Sequence, residues 1–259
     1  MKVDLVLAPN PSLFTGPGTN TWVVSSEGEA IVIDPGPMIE RHLAAIRTAL
    51  DGLAPMAVLV THTHPDHAPA ANPLAADLGV PAIGRAPGPG FRPDRTIADG
   101  ERVEFGASTA SAIATPGHTP DSTSYRVGDA LFTGDHIMGG STVIVEDMAD
   151  YMASLRAVHG TGLSRIYPGH GPVIDDPDAL VAGYIAHRLD REAQILAAVR
   201  QGARTVGEVV EGVYRDVDPA LHPAAALSVS AHLRKLAAEG AVAFPSPDLG
   251  WEAPVEAAP

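Results

Sequence analysis

The segment Thr61–His67, with the sequence THTHPDH, holds three histidines and one aspartate in seven positions. It directly follows the apolar run MAVLV, which indicates a short buried strand. Surface residues require no such crowding of imidazoles, whereas a metal centre requires neutral imidazole nitrogens and carboxylate oxygens that converge on one point. Functional groups are commonly carried on loops that a rigid scaffold positions. The segment therefore predicts a sheet with a metal-binding loop at the end of one strand.

Three later segments repeat this arrangement with one polar residue each. His118 lies in TPGHTPDS, Asp135 in FTGDH and His170 in YPGHGP, and each follows a predicted strand in a glycine-bounded turn. Loops that converge on one edge of a sheet would give this repeated pattern. The chain has no cysteine, so a transition-metal site must be built from His, Asp and Glu, and a thiol nucleophile is excluded.

The order of strand and helix patterns predicts a mixed sheet sandwich. The segment TNTWVVSSEGEAIVIDPG predicts a β-hairpin whose turn is Ser-Glu-Gly. Helical and strand patterns then alternate as far as VPAIG, and a run of short strands follows, from RVEF to ALFTGD. A helix around EDMADYMASLRAV and a strand at SRIYPG complete this part of the chain. We expect strands paired in both directions, with helices outside.

The pattern changes near Pro177, where a long helical segment begins. We expect a main domain over 1–176, a linker helix over 177–203 and a winged-helix-like domain over 204–259. The last part is predicted to consist of helices followed by a hairpin of AVAF and GWEA across PSPDL. Between Arg204 and Phe244 there are four basic and five acidic side chains, a poor balance for binding phosphates.

Composition limits the partners that the chain can have. Its 259 residues are 45% hydrophobic, which is ample for a buried core. The N-terminus shows no apolar signal-peptide region and no apolar run is long enough to cross a bilayer, so we expect a cytoplasmic protein. The net charge of −14 disfavours broad attraction to nucleic acid or anionic membranes, although a local basic groove stays open.

The motifs THTHPDH, PGHT, TGDH and PGHGP, in this order, resemble those of the metallo-β-lactamase-fold hydrolase superfamily, and IVIDPG matches its early Asp-Gly turn. The resemblance implies an α/β (α+β) fold, a four-layer αββα sandwich, here with a C-terminal winged-helix-like appendage. It also implies two metal ions per chain, normally Zn²⁺, with Mn²⁺ or Fe as alternatives. The implied ligands are His62, His64 and His118 for the first ion, Asp66, His67 and His170 for the second, and Asp135 between them.

The same resemblance implies a reaction. A hydroxide shared by the two ions would be the nucleophile of a hydrolysis, with Asp66 and Asp135 as catalytic carboxylates. The segments GTNTW, FTGDHIMGGST, IYPGHGPVI and YIAHRLDREAQIL are most similar to the β-lactamase-like protein 2 branch and its bacterial relatives. That likeness implies a phosphodiester, RNA-like substrate. Two alternatives stay open: a thioester hydrolase of the glyoxalase II type, and a non-catalytic, metal-stabilised nucleic-acid-binding module.

Partners and supporting residues follow from the same interpretation. We expect a small-molecule or single-stranded nucleic-acid substrate and no membrane partner, and a homodimer is an open alternative. Asp34 is expected to stabilise a turn below the site, and His42 to be a surface or helix-end group. Asn20 is either a turn residue or a polar group aimed at substrate. The helical segment HRLDRE, which includes Arg188, either borders the cleft or forms a solvated face. Hydroxyls expected to orient metal ligands are those of Thr63, Thr119 and Ser122.

Overall fold

The computed structural model of the protein describes residues 1–140, 143–244 and 250–258. The chain divides into two compact units, each of which is discontinuous in sequence. The first comprises Met1–Pro116, Asp121–Val143 and Gly160–Asp178. The second comprises Gly117–Pro120, Ile144–His159 and Ala179–Pro259. The domain limits predicted from the sequence stay a prediction, since this division describes compactness only.

The first unit contains a six-stranded sheet. Its strands, in spatial order, are β1 (Lys2–Leu7), β2 (Asn20–Ser26), β3 (Glu29–Ile33), β4 (Ala54–Leu59), β5 (Ala82–Gly84) and β6 (Arg95–Thr96). The strands from β1 to β3 are antiparallel, and those from β3 to β6 are parallel. Glu27 and Gly28 join β2 to β3 with φ of 49° and 86°, the backbone of a tight two-residue hairpin turn. The predicted hairpin is therefore confirmed.

A second sheet of five strands completes the β-structure of this unit. Its strands, in spatial order, are β11 (Arg165–Pro168), β10 (Ala130–Gly134), β9 (Thr123–Val127), β8 (Ser108–Ala114) and β7 (Arg102–Phe105). Only the pair β10 and β11 is parallel among these. Both sheets thus contain strands paired in both directions, which confirms the predicted α/β class.

Two apolar clusters fix the sheets of the first unit. One face of the six-stranded sheet packs on α1 (Glu40–Ala49) and α2 (Ala71–Leu78), through side chains such as Ile46 and Leu74. The other face packs on the five-stranded sheet, where Leu59 and Phe132 belong to one buried cluster. Each fully buried side chain of this size stabilises the fold by about 1.5–3 kcal/mol. The loops at the strand ends are therefore attached to a rigid base.

The second unit is mainly helical. Its elements are α3 (Met148–Val158), most of α4 (Pro177–Arg200), α5 (Val206–Val213), a 3₁₀ turn (Pro219–Leu221), α6 (His222–Ala238), β12 (Val242–Ala243) and β13 (Glu256–Ala257). The core of its C-terminal part joins α4, α5 and α6 through residues such as Ile195, Val209 and Leu233. None of the helices in the described ranges combines the length and apolarity needed to cross a membrane.

The C-terminal hairpin differs from the prediction. Val242 and Ala243 pair with Glu256 and Ala257, not with GWEA at 250–253. Val255 is completely buried, and its amide donates to the carbonyl of Arg204, so this later stretch has the better apolar contact. The predicted turn PSPDL, 245–249, lies outside the described residues.

Candidate metal centre

Four loops that follow strands carry the seven predicted ligands. His62, His64, Asp66 and His67 come after β4, His118 after β8, Asp135 directly after β10 and His170 two residues after β11. Residues 57–59 at the end of β4 are buried, and so is Val60 after them, so the first of these loops begins at a fixed position.

The seven side chains form two groups. In each group the potential ligand atoms lie within 4.8 Å of one another. The first group is His62, His64, His118 and Asp135, and the second is Asp66, His67 and His170.

Distances within the second group match the spacing of ligands around a metal ion. The Nε2 atoms of His67 and His170 are 3.3 Å apart. Oδ2 of Asp66 lies 3.1 Å from Nε2 of His170 and 3.3 Å from Nε2 of His67. A tetrahedral zinc ion with bonds of 2.0–2.1 Å would place neighbouring ligand atoms about 3.3–3.4 Å apart. The donor set and its spacing therefore fit a metal ion.

Asp135 faces the second group as well as belonging to the first. Its Oδ1 lies 3.4 Å from Nε2 of His67, and its Oδ2 lies 3.4 Å from Nε2 of His170. In the first group, Nε2 of His62 lies 3.1 Å from Nδ1 of His64. One carboxylate is thus near both sets of imidazoles, which is the arrangement of a bridging ligand.

Asp34 is the buried carboxylate that holds the THTHPDH loop. Its backbone is left-handed, with φ of 52°, a conformation that is uncommon for residues other than glycine. Its Oδ1 accepts from the amide of Thr61 at 2.8 Å, and its Oδ2 accepts from the Thr61 hydroxyl at 2.7 Å. Oδ2 also lies 2.9 Å from Nδ1 of His67. Asp34 therefore stabilises more than its own turn, because it also orients a predicted metal ligand.

Hydrogen bonds at Nδ1 direct the Nε2 lone pairs of four histidines toward the ligand groups. The Thr61 hydroxyl gives its single proton to Asp34, so at 3.0 Å it accepts from Nδ1 of His62. Nδ1 of His118 donates to the carbonyl of Ile144 at 2.6 Å, and Nδ1 of His170 to that of Gly18 at 3.2 Å. With Nδ1 of His67 donating to Asp34, these outer partners fix the tautomers that a metal site needs.

The carboxylates and imidazoles strongly affect one another's pKa. Burial disfavours the charged form of Asp66, but hydrogen bonds from His170 and His67 outweigh burial and hold its pKa well below the usual range. The pKa of Asp135 is lowered for the same reasons, chiefly by the charge of His67 against the cost of burial. Burial alone would lower the pKa of His170, but Asp135 and Asp66 raise it to about 9. The carboxylates therefore attract positive charge to this position.

Sequence reasoning left Asn20 open and missed Thr19. The Asn20 side-chain amide donates to the carbonyls of Pro168 and Gly171, at 3.0 and 2.9 Å, so it anchors the loop that carries His170. The Thr19 hydroxyl donates to Oδ2 of Asp66 at 2.9 Å. GTNTW lies far from both partners in sequence and gives no local signal for these contacts. The roles predicted for Thr63, Thr119 and Ser122 stay predictions.

The structure narrows two other expectations. His42 is not on the surface: it is buried in the first turn of α1, at the helix end, and its Nε2 lies 2.9 Å from the Thr21 hydroxyl. Arg188 has only 2% of its surface exposed, so HRLDRE is not entirely a solvated face. The Arg188 guanidinium lies 5.3 Å from the centre of the Tyr151 ring and donates to the Ser228 hydroxyl. The hydrogen bonds of these two buried side chains join residues that are distant in sequence.

The helix α6 lacks the exposed surface of a nucleic-acid recognition helix. Its buried residues include Val229, Leu233 and Leu236, which pack within the core of the second unit. Within the same unit, the Arg234 guanidinium donates to the carbonyl of Glu146 and Lys235 pairs with Glu192. Two of the four basic residues of this region thus have contacts inside the protein, which favours a packing role for α6.

Two family models match the chain. Residues 14–89 match the Metallo-beta-lactamase superfamily, and residues 205–250 match the Beta-lactamase associated winged helix domain. The second match confirms the predicted winged-helix-like appendage.

Curated relatives and solved structures extend these matches. The Beta-lactamase-like protein 2 homolog of Caenorhabditis elegans is 33% identical over 94% of this chain and 86% of its own length. The Atrochrysone carboxyl ACP thioesterase nsrC of Aspergillus novofumigatus is 34% identical over 94% of this chain and 81% of its own. A metallo-beta-lactamase family protein of Thermus thermophilus has a TM-score of 0.78 at 20% identity, with 98% of both chains covered, and it supports the fold.

Proposed function

We propose, from the premise that this chain belongs to the metallo-beta-lactamase superfamily, that it is a dinuclear, zinc-dependent hydrolase of thioesters. The observation that carries the proposal is the geometry of the seven histidines and aspartates, whose ligand atoms form two groups, each within 4.8 Å. The preference for thioesters comes from the relatives and is a separate step.

The residues of this chain would hold the two ions as follows. His62, His64 and His118 would bind the first ion, Asp66, His67 and His170 the second, and Asp135 both. Imidazole and carboxylate donors without thiolate suit zinc and leave manganese and iron as alternatives. Bound ions would supply Lewis acidity toward the substrate and lower the pKa of a water molecule. That zinc occupies the site, and that two ions do so, are parts of this proposal.

The protein groups contribute position and charge. Asp34, Thr61 and two backbone carbonyls orient imidazoles through Nδ1, so that no rearrangement is needed when the substrate arrives. Asp66 stays ionised because His170 and His67 lower its pKa against the effect of burial. We assign Asp66 and Asp135 as catalytic carboxylates, which hold charge at the reacting atoms and accept hydrogen bonds from the attacking water.

The names of several relatives support an acyl substrate. The thioesterase of Aspergillus novofumigatus matches this chain over most of both lengths, and the Thioesterase pkgB of Emericella nidulans is 35% identical over 74% of this chain and 57% of its own length. A thioester carbonyl is an electrophile that a Lewis acid can polarise, and its thiolate leaves readily without strong assistance from an acid. We therefore propose an acyl thioester in preference to a phosphodiester.

Turnover with a small panel of substrates tests the proposal. We would assay a medium-chain acyl thioester of N-acetylcysteamine, S-lactoylglutathione, bis(p-nitrophenyl) phosphate and a short single-stranded RNA. Thioester turnover that is lost on chelation, restored by Zn²⁺ and absent in Asp135→Ala supports it. Turnover of the thioesters that persists with chelator and in Asp135→Ala contradicts it. Cleavage of the phosphate substrates alone would favour the phosphodiesterase implied by the resemblance to the β-lactamase-like protein 2 branch.

A further inference from the structure

Residues 18–20 each contact either a member of the second ligand group or the loop that carries one. The carbonyl of Gly18 accepts from Nδ1 of His170, the hydroxyl of Thr19 donates to Asp66, and the amide of Asn20 anchors the loop of His170. These three residues precede or begin β2 and are far from both ligands in sequence. One short segment therefore fixes two of the three members of that group.

The backbone around Thr19 has little freedom. The amide of Ala8 donates to the carbonyl of Thr19 at 2.8 Å, which ties this residue to the end of β1. Gly18 has φ of 150°, and a Cβ at this position would come within 1.9 Å of the carbonyl oxygen of Ala8. Any side chain larger than hydrogen is therefore excluded there. The backbone therefore fixes the position from which the Thr19 side chain extends.

Asn10 determines the direction of the Thr19 proton. Oδ1 of Asn10 accepts from the amide of Thr19 at 2.9 Å, and since an amide N–H can only donate, the orientation of the Asn10 side chain is set. Its Nδ2 then donates to Oγ1 of Thr19 at 3.0 Å. The hydroxyl has one proton, and with Asn10 as a donor that proton is left for Oδ2 of Asp66.

The oxygen that receives this proton is the one that faces the ligand group. Oδ2 of Asp66 is within 3.1 Å of His170 and 3.3 Å of His67, so it is the atom expected to bind the ion. A hydrogen bond to a charged acceptor is stronger than one between neutral groups. It holds the carboxylate in one orientation, and so the ion would not have to order the side chain.

We propose that Thr19 is a positioning residue for the second metal ion: its hydroxyl, oriented by Asn10, holds Asp66 so that this group binds a divalent cation. The inference rests on the proposed function, since it assumes that the second group is a metal site. Thr19 does not itself contact the ion, and its effect passes through Asp66. It is therefore expected to change metal affinity more than the fold.

Metal titration of full-length variants tests this role. We would add Zn²⁺ to metal-free protein in competition with a chromophoric chelator and obtain two dissociation constants for the wild type. In Thr19→Val, which keeps the volume and removes the hydroxyl, one constant should rise by about 10–100-fold while the other is unchanged. Thr19→Ser should return it close to the wild-type value. The matched control is Thr48→Val, at an exposed threonine on α1 whose hydroxyl donates to the carbonyl of Ala44 in the same helix.

Four outcomes would decide against the inference or its premise. Two unchanged constants in Thr19→Val, or two constants raised equally in a folded protein, would overturn the role of Thr19. Failure of Thr19→Ser to restore affinity would also overturn it, because the hydroxyl would not be the responsible group. A wild type that binds fewer than two ions would instead overturn the proposed function, and the two failures are distinguishable in one experiment.

Discussion

His67 and His232 are both completely buried, yet the charges around them are opposite. His67 lies within 3.4 Å of three aspartates, Asp34, Asp66 and Asp135. Nδ1 of His232 lies 3.3 Å from Glu192, but Lys235 shares that carboxylate at 2.8 Å. Burial alone would lower the pKa of His67, but the carboxylates raise it well above its usual value. Burial, with the nearby charge of Arg188, lowers the pKa of His232 to about 4.

The difference shows why burial of a histidine does not by itself indicate a functional site. Around His232 each acidic group has a basic neighbour, so a neutral imidazole fits without an added ion. Around His67 the carboxylates of Asp34, Asp66 and Asp135 converge, and buried negative charge is costly unless a cation lies beside it. A metal cation would compensate it, and the imidazoles are already oriented with Nε2 inward. The comparison therefore separates a candidate metal centre from a structural polar cluster.

The largest loss of turnover is expected when a predicted metal ligand is removed. His64→Ala removes an imidazole that is half-buried, so the fold should survive. Because a catalytic metal contributes several kcal/mol, we expect kcat/KM to fall by at least about 10³-fold. Steady-state assays with the substrate found active, together with circular dichroism, measure this. His232→Gln is the matched control and should keep wild-type turnover. Equal losses in both variants would remove the distinction between the two regions.

A smaller loss, in metal affinity, is expected for a residue that orients a predicted ligand without binding the metal itself. In Asp34→Asn the side chain keeps its size but loses its charge and cannot accept from Thr61 and His67 with both oxygens. Since outer partners typically contribute 10–100-fold to metal affinity, we expect a loss of about that size. Competition with a chelator measures the change. Wild-type affinity in a folded Asp34→Asn protein would show that the tautomers are set by other contacts.

The smallest effect is expected on the pH dependence of stability, through the buried His232. The pKa of His232 is about 4 in the folded protein, below an ordinary value near 6.5 in the unfolded chain. The neutral form is favoured by folding, so this contribution is present above about pH 6.5 and is lost as the pH falls through about 4. Urea unfolding of metal-free wild type and His232→Gln should therefore diverge at low pH, by at most about 3 kcal/mol. Parallel stability curves would contradict a neutral, buried His232.

The fold and the ligand loops could be predicted because their signals are local. Two β-branched, apolar runs around Ser-Glu-Gly predicted the β2–β3 hairpin, and helical spacing predicted the linker helix over 177–203, close to the observed α4 (Pro177–Arg200). The motifs that contain His62, His118, Asp135 and His170 each combine a strand end with a histidine or aspartate. Whether these residues bind metal stays a prediction.

The contacts that tune the site could not be predicted, because they join residues that are far apart in the chain. Thr19 meets Asp66 across 47 positions, and Asn20 meets Pro168 across 148. The burial of His42 and Arg188 was missed for the same reason, since each is covered by side chains from other elements. The predicted strand partner of β12 was wrong, because β12 pairs with Glu256 and Ala257, which directly follow the buried Val255, and not with GWEA.

Elemental analysis of the purified protein, with Asp135→Ala alongside, tests the central claim most directly. We predict about two metal ions per wild-type chain, zinc foremost, and a clear loss of metal in Asp135→Ala, because that carboxylate lies near both groups of imidazoles. A wild-type protein without bound metal after incubation with Zn²⁺, or an Asp135→Ala protein that keeps two ions, would contradict it.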